Sequence, residues 1–167
     1  TYHDQKSLKK CLKSGYVSSV GKFVSLFEKK IKKITKSNFV VATVNGTSSL
    51  QIALQLVGLK KNEEVLLPSI GFIATANSVL YNNGIPHFVD IEMNHFGMNP
   101  DKLQKFFETK TKVKNNLCIN KKTTRVIRAL IVVHVFGHSA QIRKIIKIAK
   151  KYKVRIIEDA AEALGSF

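Results

Sequence analysis

Val154-Arg-Ile-Ile-Glu-Asp-Ala-Ala-Glu-Ala-Leu-Gly165 decides how this chain is read. Its first residues, 154–157, are a short β-branched run of the kind that forms a buried parallel strand. The run hands two carboxylates, Glu158 and Asp159, to the strand's C-terminal end. Small residues follow at once: Ala160, Ala161, Ala163 and Gly165. In open α/β sheets, ligands bind outside the carboxyl ends of the strands. A carboxylate there, backed by small side chains, can approach a flat cofactor and hold a ring nitrogen protonated. A second reading stands beside this one, because on local pattern alone Asp159 is the residue type that caps a following helix.

Upstream, strand and helix signals alternate. Helices are expected over residues 7–12, 22–34, 47–57, 73–81, 100–107 and 140–152. Strands are expected over 39–44, 64–67, 86–89, 128–133 and 154–157. Phe23, Phe27, Ile31 and Ile34 share one helix face, as do Leu50, Ala53, Leu54 and Val57. Residues 109–124 are rich in Lys and Asn and are expected to be an exposed loop. Repeated β-α units with apolar strands predict a three-layer α/β/α arrangement around a mostly parallel sheet.

Composition narrows the function classes. With 44% hydrophobic residues, the 167-residue chain can bury a core of its own. No run approaches the ~20 apolar residues of a membrane span, and no signal peptide is visible. A cytoplasmic location is therefore expected. Cys11 and Cys118 are far apart and fit a reducing compartment. His87, His95 and His138 show no ligand spacing, so no metal is expected. The net charge of +17 comes from Lys residues spread along the whole chain. Aromatic residues are not interleaved with them as a base-stacking platform requires, so nucleic acid is not an expected partner. Such a surface would still attract an anionic substrate.

Two further stretches carry chemistry. Thr43-Val-Asn-Gly-Thr-Ser-Ser49 joins an expected strand to a helix through Gly46. Thr47, Ser48 and Ser49 fall in the first turn, where N–H groups lack intrahelical partners and the dipole is positive. That suits a phosphate; an ordinary N-cap by Asn45 or Thr47 explains the pattern equally well. Pro68-Ser-Ile-Gly-Phe-Ile-Ala-Thr-Ala-Asn77 ends a strand and places Phe72 at the sheet's edge. Its ring would either stack on a planar ligand or pack in the core. His134, after another strand end, would either touch substrate or serve as a satisfied structural histidine.

Together with Gly15-Tyr-Val-Ser-Ser-Val-Gly-Lys-Phe23, Ile85-Pro-His-Phe-Val-Asp90 and Val133-His-Val-Phe-Gly-His138, these stretches run through nearly the whole chain. In that order the set resembles the DegT/StrS-type pyridoxal-phosphate-dependent sugar aminotransferases, of the aspartate aminotransferase (type I) fold. The Ser18-Ser19-Val20-Gly21 segment and the Glu158-Asp-Ala-Ala-Glu162 form are most similar to the branch acting on 4-keto nucleotide sugars of the legionaminic-acid type.

The resemblance implies pyridoxal 5'-phosphate as cofactor. Gly46, Thr47 and Ser48 would hold its phosphate, and Phe72 would stack on its ring. Asp159 would pair with the ring nitrogen, and Glu162 would face the phenolic oxygen. A Glu beside a phenolate is electrostatically awkward, so Glu162 would be protonated or turned to a neighbour. His134 is a weaker candidate for substrate contact. The implied reaction moves an amino group, usually from glutamate, to a keto carbon of a nucleotide-linked sugar in polysaccharide biosynthesis. The implied assembly is a homodimer. The implied catalytic lysine falls beyond Phe167, so no catalytic residue is assigned here. Residues 1–36 are then expected to be an N-terminal helical segment, and 37–167 part of the cofactor-binding large domain of a longer protein. Relatives in which a histidine replaces the lysine are dehydratases, which is the alternative within the fold. A non-catalytic basic binding fragment is the alternative outside it.

Overall fold

The computed structural model describes residues 1–18 and 20–166. Ser19, part of the Ser18–Gly21 motif, lies outside the described residues. The chain divides into two compact units, Thr1–Thr43 and Val44–Phe167.

The first unit carries two helices. α1 (Tyr2–Ser14) opens on a capping box, in which Thr1 and Asp4 each satisfy the other's backbone N–H. It ends on Gly15, whose φ of 74° puts it in the left-handed region. α2 (Lys22–Thr35) follows. Residues 39–44 do not form the expected strand. A β-branched run becomes a strand only with a ladder partner. Here the Ala42 N–H is instead taken by the Glu28 carboxylate at 2.9 Å. Phe39 is 90% exposed and Val41 77%.

The second unit is built on a six-stranded, mostly parallel sheet. In chain order its elements are α3 (Gly46–Leu56), β1 (Glu64–Pro68), α4 (Ile73–Tyr81), β2 (Ile85–Val89), α5 (Pro100–Lys110), β3 (Thr111–Lys114), β4 (Leu117–Asn120), β5 (Val126–Val133), α6 (Ile142–Lys151) and β6 (Arg155–Asp159). β5 is central and pairs in parallel with β1 and β6, and β2 adds to β1 in parallel. Ala129 and Leu130 pair with both β1 and β6, so these two strands occupy opposite edges of β5.

The two faces of the sheet carry separate cores. Val65, Leu67, Ala129, Ile131 and Val133 pack with Leu50 and Leu54 of α3 and with Ala76 and Val79 of α4. Leu66, Leu130 and Val132 point the other way, toward Leu103 and Phe107 of α5 and Ile145 and Ala149 of α6. This is the three-layer order that alternating side chains on strands buried on both faces require. A register shift between Glu64 and Val65 brings Ile127 onto the same face as Leu130. Among the described residues, no helix is long and apolar enough to cross a membrane.

Residues 109–124 are not the exposed loop expected from their composition. They end α5 and then fold into the β3–β4 hairpin, whose β4 pairs antiparallel with β5. Asn115 and Asn116 form the two-residue turn with φ of 49° and 61°. Positive φ at both positions is the type I′ geometry, which Asn tolerates and which matches strand twist. Cys118 and Asn120 are buried by it.

A polar cluster seals the amino ends of the strands. The Glu64 carboxylate, 1% exposed, accepts hydrogen bonds from Asn120 Nδ2 at 2.9 Å and Thr123 Oγ1 at 2.5 Å. His87 Nδ1 stands 3.3 Å from it. Burial pushes this carboxyl up, but the bonds from His87, Thr123 and Asn120 outweigh it and hold the pKa below the ordinary range. Glu63 binds Arg128 through two guanidinium nitrogens.

Candidate functional site

The opposite, carboxyl edge of the sheet holds a cavity of about 310 Å³, lined in part by Gly46, Thr47, Phe72, His134, Asp159 and Glu162. That volume lies at the small end of ligand sites, about 300–1,000 Å³. The wall is assembled from the ends of β5 and β6, the starts of α3 and α4, and the turn after β6. All of it belongs to the second unit.

Asp159 is the last residue of β6 and stands in register with Val133. The His134 N–H extends the ladder to the Asp159 carbonyl at 3.1 Å. The two carboxylate oxygens have separate partners. Oδ1 accepts the Ala161 N–H at 3.2 Å, and Oδ2 accepts the Thr75 hydroxyl at 3.4 Å. Among the described residues, no helix follows β6; residues 161–165 are turns. The capping reading therefore survives only as a turn contact by one oxygen, while the other faces α4.

Phe72 is the N-cap residue of α4. It is 71% exposed, which removes the core-packing reading. Its ring lies free on the cavity wall because Pro68 ends β1 and the chain turns before α4 begins.

α3 starts at Gly46, with Asn45 as its N-cap. Asn45 Oδ1 takes the Ser48 N–H at 2.9 Å. Of the two capping candidates, the structure uses Asn45. Thr47 reaches the cavity wall, whereas Ser48, grouped with it in the sequence reading, is not among the lining residues. A Cβ added at Gly46 would meet no atom within 4 Å. The absence of a side chain there leaves the helix start open toward the cavity, where its N–H groups can approach an anion.

His134 is buried and bonded on both ring nitrogens. Nδ1 accepts the Ala140 N–H at 3.1 Å, which leaves the proton on Nε2, 3.3 Å from Glu158 Oε2. It is a satisfied structural histidine that also lines the cavity. Glu162 is turned to a neighbour: its Oε2 accepts the Phe136 N–H at 2.8 Å. Phe136 adopts φ 54° and ψ 30°, a left-handed conformation that is unusual for a bulky residue. Its ring meets Phe96 edge-on at 6.3 Å.

Leu50, Ala74, Val133 and Ala161 complete the wall. Sequence reasoning named Ala161 among the small residues after Asp159, but it did not single out Leu50, Ala74 or Val133 as site residues, since nothing separates them from ordinary core and turn positions. Thr75, 3% exposed, was also missed: a threonine inside a helical pattern carries no sign that its hydroxyl meets a carboxylate 84 residues away.

An exposed ring, a carboxylate and an open helix start at the carboxyl edge of a doubly wound sheet define a small-molecule site of the α/β class. The chain belongs to the DegT/DnrJ/EryC1/StrS aminotransferase family, whose model matches residues 1–167. It is 32% identical over 93% of its length to GDP-perosamine synthase of Caulobacter vibrioides, covering 38% of that protein. It is 29% identical over 99% of its length to GDP-perosamine synthase of Escherichia coli O157:H7, covering 41%. A DegT DnrJ EryC1 StrS aminotransferase from Brucella abortus superposes with a TM-score of 0.84 at 30% identity, over 96% of this chain and 40% of that one. Bacillus subtilis NtdA with bound cofactor PMP gives 0.81 at 29% identity, over 96% and 33%. The chain thus spans about two fifths of the length of the curated relatives it matches.

Proposed function

We propose that this chain is the cofactor-holding part of a cytoplasmic aminotransferase that moves an amino group from glutamate to a keto carbon of a nucleotide-linked sugar, with pyridoxal 5'-phosphate as cofactor. The observation that carries this reading is the exposed Phe72 ring sharing one cavity with the Asp159 carboxylate and the open start of α3. Family membership and the nucleotide-sugar chemistry named for relatives such as GDP-perosamine synthase support it. In this reading residues 37–167 hold the cofactor, and residues 1–36 are a helical segment that precedes them.

The residues present fit the group. A flat ring can lie on Phe72, whose side chain is largely exposed. A phosphate can meet the α3 start through Gly46 and Thr47, with Ser48 in the same turn. When bound, pyridoxal phosphate supplies an electron sink, and it does so best with its ring nitrogen protonated. Asp159 is placed to keep that proton at the nitrogen. Glu162 would face the phenolic oxygen, with one carboxylate oxygen already accepting the Phe136 N–H. His134, on the cavity wall, would be the residue nearest the substrate side. A helix start offers about half a positive charge and a phosphate carries nearly two negative ones. Cations from outside this cavity must make up the difference, and we place them on a second subunit of a homodimer.

The test is Asp159→Asn in the protein, with amino transfer to a nucleotide-linked keto sugar as readout. An amide cannot hold the ring proton, so a loss of at least ~100-fold is expected, with an unchanged far-UV circular dichroism spectrum. Near-wild-type turnover would return Asp159 to turn capping.

A further inference from the structure

We propose that Thr75 is a positioning residue for Asp159, and that the first turn of α4 carries both the stacking ring and the hydroxyl that sets the carboxylate. The proposal rests on the cofactor reading above. Phe72 and Thr75 are fixed to each other, because the Thr75 N–H donates to the Phe72 carbonyl at 3.1 Å. From that turn the Phe72 ring is exposed on the cavity wall, while the Thr75 hydroxyl is buried and donates to Asp159 Oδ2. Thr75 is itself anchored, since its carbonyl accepts the Ser78 hydroxyl at 2.7 Å. Asp159 is held from its other side by the Ala161 N–H. Two donors from distant parts of the chain thus fix the plane of one carboxylate.

Without the hydroxyl, the carboxylate keeps one donor and gains freedom to rotate. A carboxylate that rotates would meet the ring nitrogen less squarely and hold it less firmly. At 3.4 Å the Thr75 bond is long for O–H···O, so the expected effect is an order of magnitude and not an abolition.

The experiment uses pyridoxamine phosphate, which binds without a covalent link, and reads its affinity by titration and its ring-nitrogen protonation by 15N NMR. Thr75→Val removes the hydroxyl at constant shape. It should bind about tenfold more weakly and shift the ring-nitrogen signal toward the unprotonated position, while Thr75→Ser restores both. Unchanged affinity and an unchanged nitrogen signal in Thr75→Val would overturn the proposal. If valine does not fold in place, Thr75→Ala is read by the same two outcomes. Asp159→Asn is measured in parallel. Should it leave the nitrogen signal unmoved, the cofactor reading itself falls, a result distinct from failure at Thr75 alone.

Discussion

Glu162 and Phe136 show how two residues 26 apart restrain each other. A left-handed phenylalanine costs on the order of 1–2 kcal/mol, and the structure keeps Phe136 there with its N–H on a carboxylate. Gly137 follows at φ 80°, so two successive residues turn the chain past the cavity. Removing the acceptor should release the turn. Glu162→Ala is expected to speed hydrogen exchange at the Phe136 amide several-fold, the equivalent of about 1 kcal/mol for one net hydrogen bond. Glu162→Gln, which retains an acceptor oxygen, should exchange nearly as slowly as the parent. Equal rates in all three proteins would mean that the turn holds Phe136 without help from Glu162. At this scale the sequence singled out Phe72 and Asp159 but left two readings open at each, and it was the structure that showed the ring exposed. The sequence was silent on Thr75, because a hydroxyl's partner is chosen by tertiary packing.

The elements divide in the same way. Helices α3 and α4 and strands β1, β5 and β6 follow from periodicity, because their buried faces are continuous in sequence. The β3–β4 hairpin was missed because Lys and Asn dominate its composition. The readable sign was the Asn115-Asn116 pair between Val113 and Leu117, a turn signal that outranks hydrophilicity. The run 39–44 misled in the opposite direction: propensity alone does not make a ladder. The hairpin's far end is tied to the sheet by Glu64, through Asn120 and Thr123, and this gives it a pH dependence. The folded carboxyl sits below its ordinary value of 4.5. Its contribution is therefore complete above about that pH and disappears as pH falls through the lower folded value. Glu64→Gln is expected to cost about 1–3 kcal/mol near neutrality and to flatten the acid limb of a stability–pH curve measured by urea unfolding. A variant whose acid limb keeps the parent slope would assign that limb to other groups, of which the paired Glu63 is the next to examine.

For the whole molecule, the alternation of strands and helices was enough to give the layers, and the carboxyl ends of the strands were enough to gather six named residues on one cavity. Ser48 is not on that wall; Asn45 caps α3 two residues before the position a Thr47 cap would have set. The exposed ribbon at residues 39–44 has a further consequence, in colloidal terms. It offers neighbouring molecules an apolar, β-branched edge, the kind of segment that recruits copies of itself. A net charge of +17 opposes that encounter, but only across the distance over which charge is felt. This distance shrinks from about 10 Å at 0.1 M salt to about 3 Å at 1 M. Preparations of this chain should therefore stay dispersed at low ionic strength and scatter more light as sodium chloride is added. A Val41→Lys exchange should suppress that rise, and scattering that salt leaves unchanged would clear the ribbon of this role.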